Sequence, residues 1–187
     1  MTVVLDCSVA EEACPFDLAP TSSTTATLAL GDALAVVLLQ RKGFKEADFA
    51  RIHPGGALGR RLTLRVGEVM VREQFPSVPV DATMRDTIVP LAEQRGTVPV
   101  VDVHQQVVGI ITAGDLTRLM ERREDFFSVP VAEVMNKTPK LARAEDLGSA
   151  AIHVMEEHGV MALPVVDEAG RLCGIVHLHD LMRSGAA

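Results

Sequence analysis

At 187 residues, with 48% hydrophobic and 23% charged side chains, the chain has the balance of a globular protein with room for one large or two small domains. Aromatics amount to 3%, Trp and Tyr are absent, and the formal net charge is -7, so stacking platforms and clustered cations for nucleic-acid binding are both missing. Cys7, Cys14 and Cys173 lie far apart without CxxC spacing, which argues against a disulfide framework or a zinc site and fits a reducing compartment.

No basic residue precedes the first apolar stretch, unlike a secretory signal, and the apolar run Ala26 to Leu39 contains Gly31 and Asp32 and is too short to cross a bilayer. A soluble, cytoplasmic protein is expected. Val3 to Leu5 reads as a strand, followed by Glu11-Glu-Ala-Cys-Pro15 and the loop Leu18 to Thr25. The next helix, from about Thr25 to Arg41, is apolar on nearly every side, and such a helix is normally wrapped by other elements. Only one short strand and a helix from Lys45 to Ile52 are at hand to cover it. The segment therefore reads as the end of an α/β domain, and its apolar face as a surface for self-association or a partner.

Beyond residue 65 the chain is written twice at an offset of sixty-five. Val66-Gly-Glu-Val-Met70 returns as Val131-Ala-Glu-Val-Met135, Val98-Pro-Val-Val-Asp102 as Leu163-Pro-Val-Val-Asp167, and Val107-Val-Gly-Ile-Ile-Thr112 as Leu172-Cys-Gly-Ile-Val-His177. Two copies of one unit cannot make a solenoid, but they can pair about a cleft. In the first copy Met84 to Gln94 reads as a helix, Val98 to Val103 and Val107 to Thr112 as strands around the turn His104-Gln-Gln106, and Gly114 to Arg123 as a helix. Leu147 to Glu157, Ala162 to Asp167, Leu172 to His177 and His179 to Arg183 repeat the pattern, with Asp167-Glu-Ala-Gly170 as the turn. The order is β-α-β-β-α, twice. Gly96 follows Asp81 by fifteen positions and Gly159 follows Asp146 by thirteen, so the two helices are expected to end differently over the cleft. Between the copies, Glu121 to Asp125 reads as a solvated charged helix end and Phe126 to Pro130 as a linker.

The run Gly109-Ile-Ile-Thr-Ala-Gly-Asp115 and its echo from Gly174 to Asp180 resemble a tandem pair of CBS domains, over Val66 to Gly185. The resemblance implies that Thr112 and Asp115 face a nucleotide, the Asp on the ribose hydroxyls, and that Asp180 does so in the second copy, where His177 replaces the Thr. A strand end leading into a helix start exposes backbone N–H groups that favour an anion. Thr and Asp are equally ordinary helix caps there, and the two roles are compatible. His177 and His179 could both serve a metal if strand alternation put them on one face, yet no third or fourth ligand can be named, and no metal is expected.

Glu11-Glu-Ala-Cys-Pro15, Ala19 to Leu28, Gly31 to Val36 and His53-Pro-Gly-Gly-Ala-Leu-Gly-Arg60 resemble the closing part of the sugar isomerase (SIS) domain of bacterial arabinose 5-phosphate isomerases, which carry a CBS pair directly after it. The expected fold class is thus mixed α/β (α+β), with a mostly helical SIS remnant over 1–62 and CBS domains over 63–125 and 126–187. Those enzymes interconvert ribulose 5-phosphate and arabinose 5-phosphate for the Kdo sugar of lipopolysaccharide. Aldose–ketose isomerisation needs a base to move a proton between adjacent carbons and an acid at the carbonyl. The resemblance assigns Glu12 and His53 to the catalytic set. The Lys, the other Glu and the phosphate loop that complete it match nothing in these 187 residues, so the chain alone is expected to be inactive. Read without the family, Glu12 is a carboxylate near a turn, His53 a helix-end residue before Pro54, and Thr21 to Thr25 a helix N-cap.

Three functions follow: the regulatory part of an isomerase, with AMP, ATP or CMP-Kdo as the effector of the CBS pair and sugar phosphate as the substrate of the full-length enzyme; a stand-alone nucleotide-sensing CBS pair; or an interaction protein. No catalytic cofactor, nucleic acid or membrane is implied, and a homodimer or higher homo-oligomer is expected.

Overall fold

The computed structural model describes residues 3–52 and 56–187. These fall into two compact units, one up to Phe49 and one from Ala50 onward.

In the first unit, residues 3–21 contain no regular element among the described residues, and the expected strand Val3 to Leu5 does not form. A lone strand leaves its N–H and C=O groups without partners, and no second strand lies among the described residues of this unit to supply them. The helix α1 runs Ser22–Arg41, three residues longer at its start than the sequence indicates. At twenty residues and a mean hydropathy of 1.5 it is long and apolar enough to cross a bilayer, which corrects the expectation from the shorter run Ala26 to Leu39. Asp32 sits mid-helix, where hydrocarbon would penalise a carboxylate by roughly 3 kcal/mol. No described residue of α1 is buried, and Leu28, Val36 and Leu38 are each more than half exposed. The apolar face is uncovered among the described residues, as the shortage of covering elements implies. Next, α2 spans Glu46–Ile52 and crosses the division between the units.

The second unit opens with α3 (Ala57–Thr63) and α4 (Val66–Val69). The first repeat then gives β1 (Val78–Pro79), α5 (Met84–Glu93), β2 (Thr97–Val101), β3 (Val107–Thr112) and α6 (Ala113–Arg122). The second gives α7 (Val131–Val134), β4 (Ala142–Arg143), α8 (Gly148–His158), β5 (Ala162–Val166), β6 (Leu172–His177) and α9 (Leu178–Arg183). Each forms a three-stranded sheet, in order β1-β2-β3 or β4-β5-β6, with the first pair parallel and the second antiparallel. The parallel pair needs the crossover helix between its strands, whereas the antiparallel pair closes through a short polar turn. In both hairpins the register slips at one position, between Val100 and Val101 and between Val165 and Val166.

The two crossover helices end differently, as expected, though not in the residue at which they stop. Glu93 and His158 close α5 and α8 at the same sixty-five-residue offset. The irregularity sits earlier, since α5 has ten residues and α8 eleven. What differs is the cap. Gly159 ends α8 in the left-handed conformation at φ 62°, the usual helix stop. After α5 that conformation falls on Arg95 at φ 52° and again on Gly96 at φ 81°.

The repeats exchange their leading helices. Val66 and Met70 pack into the core of the second repeat with Met155, Leu163 and Leu181, while Val131 completes the core of the first with Met84, Val98 and Ile111. Both valines are fully buried, a contribution of about 1.5–3 kcal/mol each. Two bridges lock the exchange, Val71 with Ile175 and Ile110 with Asn136, related by the same offset. The linker also works across this junction: Phe127 and Val129 carbonyls accept from Arg85 N and Met84 N at 3.1 and 2.9 Å, satisfying two orphan donors at the start of α5. Glu121 to Asp125 are exposed, as a solvated charge run should be.

Candidate functional site

The end of β3 and the start of α6 form a capping box. Asp115 Oδ2 accepts from Thr112 N at 2.8 Å and Thr112 Oγ1 at 2.6 Å, and Thr112 Oγ1 accepts from Asp115 N at 3.2 Å. Arg118, one turn on, pairs with the other carboxylate oxygen. Capping is therefore real at this junction, and it leaves both residues on the wall of a cavity.

That cavity, about 500 Å³, lies between the repeats and is the right size for a small organic ligand. The first repeat contributes Arg95, Thr112, Asp115 and Arg118; the second contributes Lys140 and the edge from His158 to Ala162. Of the three cations on the wall, Arg118 pairs with Asp115 and Arg95 with Asp180. Lys140 makes no ion pair among the described residues, so the wall keeps a positive bias suited to a phosphoryl group. A ligand here would present hydroxyls to Asp115 and negative charge to Lys140 and the arginines.

The equivalent junction in the second repeat is built otherwise. His177 takes the place of Thr112 and is only 6% exposed, and neither ring nitrogen has a hydrogen-bond partner among the described residues. Its Nδ1 is 3.9 Å from Asp180 Oδ2, beyond hydrogen-bond reach. Arg95 Nη1 crosses from the first repeat to donate to that same Asp180 oxygen at 2.9 Å. Burial, then the Arg95 guanidinium, hold the His177 pKa below its ordinary value, against the Gln94 carbonyl and the Asp180 carboxylate, which favour the charged ring. His179 lies on α9 and is exposed, so the idea that alternation places both imidazoles on one strand face is corrected: β6 ends at His177.

In the first unit Glu12 does what a helix cap would do. Its Oε2 accepts from Thr21 N at 2.7 Å, Thr21 Oγ1 at 3.1 Å and Ser23 N at 3.2 Å. These bonds at the start of α1, Ser23 foremost and then Thr21, lower its pKa to about 2. Thr21 Oγ1 itself accepts from Ala13 N at 2.9 Å, so the carboxylate nine residues back supplies the helix-start acceptor expected of the threonine cluster. His53 lies outside the described residues.

Sequence reasoning found Thr112 and Asp115 but not Arg95, Arg118 or Lys140. Arg118 was findable, three residues after Asp115 on one helical face. Lys140 and Arg95 needed the fold, because they reach the site from the connections between α7 and β4 and between α5 and β2.

The model of the CBS domain family (described as "CBS domain") matches residues 66–122 and 131–187. Among curated proteins, the arabinose 5-phosphate isomerase KdsD of Pseudomonas aeruginosa is 46% identical over 98% of this chain and 57% of its own length. KdsD of Escherichia coli is 42% identical over 95% of this chain and 54% of its own. The chain thus spans about half the length of the curated relatives it matches. Among solved structures, CBSX2 in complex with AMP is 25% identical with a TM-score of 0.57, covering 64% of this chain and 94% of its own. The CBS domains of a Streptococcus pneumoniae transcriptional regulator, 22% identical, share the fold at a TM-score of 0.56 over 64% of this chain and 98% of theirs. The paired sheets, the exchanged helices and the two matched segments lead to one conclusion: this chain belongs to the CBS domain family and carries two such domains in tandem.

Proposed function

We propose that the chain is the C-terminal regulatory portion of a cytoplasmic arabinose 5-phosphate isomerase, in which the CBS pair binds a nucleotide or nucleotide-sugar effector. Residues 1–62 would close the SIS domain, with CBS domains over 63–125 and 126–187. The observation that carries the binding role is the cavity between the repeats, where Thr112 and Asp115 offer hydroxyl acceptors beside Arg118 and Lys140. An adenine nucleotide in the similarly folded CBSX2 supports the ligand class. The KdsD relatives support the enzyme context.

On this reading Glu12 is an orienting or electrostatic member of the catalytic set rather than its proton acceptor. A carboxylate with a pKa of about 2 is a weak base near neutral pH, where a general base works best with a pKa close to the operating pH. His53 is assigned with it by family match alone. The purified chain is expected not to turn over ribulose 5-phosphate, and measurable isomerisation would overturn that part of the proposal.

The binding part is tested by titrating AMP, ATP, CMP and CMP-Kdo against thermal unfolding. A ligand that binds only the folded chain at a hundred times its Kd adds about 2.7 kcal/mol and raises Tm. Asp115→Ala should abolish the shift. No shift from any of the four at millimolar concentration would leave the interaction reading, with the open face of α1 as its surface.

A further inference from the structure

The cavity, as a first cleft, and the equivalent junction at His177 and Asp180, as a second, share one side chain. Arg95 lines the 500 Å³ cavity, and its guanidinium donates to Asp180 of the second repeat at 2.9 Å. The next residue anchors the turn, with Gly96 N donating to Leu91 O at 2.7 Å and Gly96 O accepting from Ala113 N at 2.8 Å, so a change of partner falls to the Arg95 side chain. The matching position in the second repeat is Val160, which has no charge to offer. The device therefore exists once, in one direction.

We infer that Arg95 selects for a phosphoryl group in the first cleft and is held back by Asp180, so that the second cleft, sealed by this pair over His177, takes no ligand and instead sets the affinity of the first. This rests on the nucleotide-binding reading above. Asp180 is the competing anion, and a phosphate in the cavity draws Arg95 from it. The pair is weak enough to exchange, because the two side chains are 57% and 24% exposed and exposed ion pairs bind modestly. Release of Arg95 leaves His177 facing the Asp180 carboxylate and the Gln94 carbonyl without an opposing cation.

Calorimetric titration of the full chain with AMP and with adenosine tests this. One AMP per chain is expected, with adenosine weaker. Arg95→Ala should weaken AMP roughly tenfold and leave adenosine within twofold. Asp180→Asn should strengthen AMP roughly two- to fivefold by freeing the guanidinium. Two AMP molecules per chain, equal losses for AMP and adenosine in Arg95→Ala, or unchanged AMP affinity in Asp180→Asn would each overturn the inference. If neither nucleoside compound binds, the nucleotide reading fails by itself, and pyrophosphate becomes the probe. It should raise Tm in the unmodified chain, less in Arg95→Ala and more in Asp180→Asn, and no shift overturns the inference too. An NMR titration of His177 reports on closure without any ligand: Arg95→Ala should raise its midpoint, and an unchanged midpoint shows that Arg95 does not seal the second cleft.

Discussion

Val71 and Ile175 exchange a pair of backbone hydrogen bonds across the two repeats, with N–H donors at 2.9 and 3.1 Å from the opposite carbonyl oxygens. That approach depends on the missing side chain next door. A Cβ at Gly174 would meet the Val71 carbonyl oxygen at 2.8 Å, a backbone atom that cannot step aside, while one at Gly109 would meet the flexible Met135 side chain at 2.5 Å (Sδ) and 2.9 Å (Cγ) and the Asn136 carbonyl oxygen only at 3.1 Å. Gly174→Ala is expected to cost about 2–3 kcal/mol and Gly109→Ala about 1 kcal/mol, measured by urea unfolding. Equal losses would show that the two crossings are equally compliant.

The capping box at α6 gives a second test. Thr112→Ala removes the oxygen that accepts from Asp115 N and should cost about 1 kcal/mol of stability. Thr112→Ser keeps that oxygen and should restore most of it. Only the Ala variant should lose affinity for a cavity ligand beyond twofold.

Acidification should find His177. Its pKa in the fold is below the ordinary 6.5, so the unfolded chain takes up a proton first, and protonation favours unfolding. Stability from the neutral ring is fully present above about pH 6.5 and is lost as pH falls through the depressed value. His177→Leu fills the site without orphan nitrogens and should both flatten this limb and add about 1–2 kcal/mol at neutral pH. A pH profile of Tm that stays the same in His177→Leu would place the acid sensitivity elsewhere.

Glu12 responds to acid in a lower pH window. Its pKa falls from 4.5 to about 2 on folding, so its contribution is complete above pH 4.5 and disappears as pH falls toward 2. Circular dichroism at 222 nm should show helix loss in that range, and Glu12→Gln should weaken the dependence. Identical acid curves for both proteins would detach Glu12 from the start of α1.

The hairpins were the most legible part of the chain. Val107 to Thr112 and Leu172 to His177 form strands over the expected residues, because their apolar runs end at sharp turn and cap signals. Periodicity describes which face of a segment is buried, not what buries it, and so the exchange of Val66 and Val131 between repeats could not be read from it. The helix α3 was missed because Pro54-Gly-Gly56 reads as a stop and Gly59 weakens the pattern after it. Val3 to Leu5 had the composition of a strand but no partner in its unit. At the site, Thr112 and Asp115 were visible as a motif. The reach of Arg95 followed from the left-handed turn after α5, a conformation that its residue type does not announce.

The exchange of leading helices also fixes where this chain can be divided. Cut between Arg122 and Val131, each half would lose the valine that closes its own core and keep one meant for the other, exposing an apolar hole and an apolar plug on separate fragments. Mixed together, such fragments should find one another and restore the pair, as complementary halves of a split protein do.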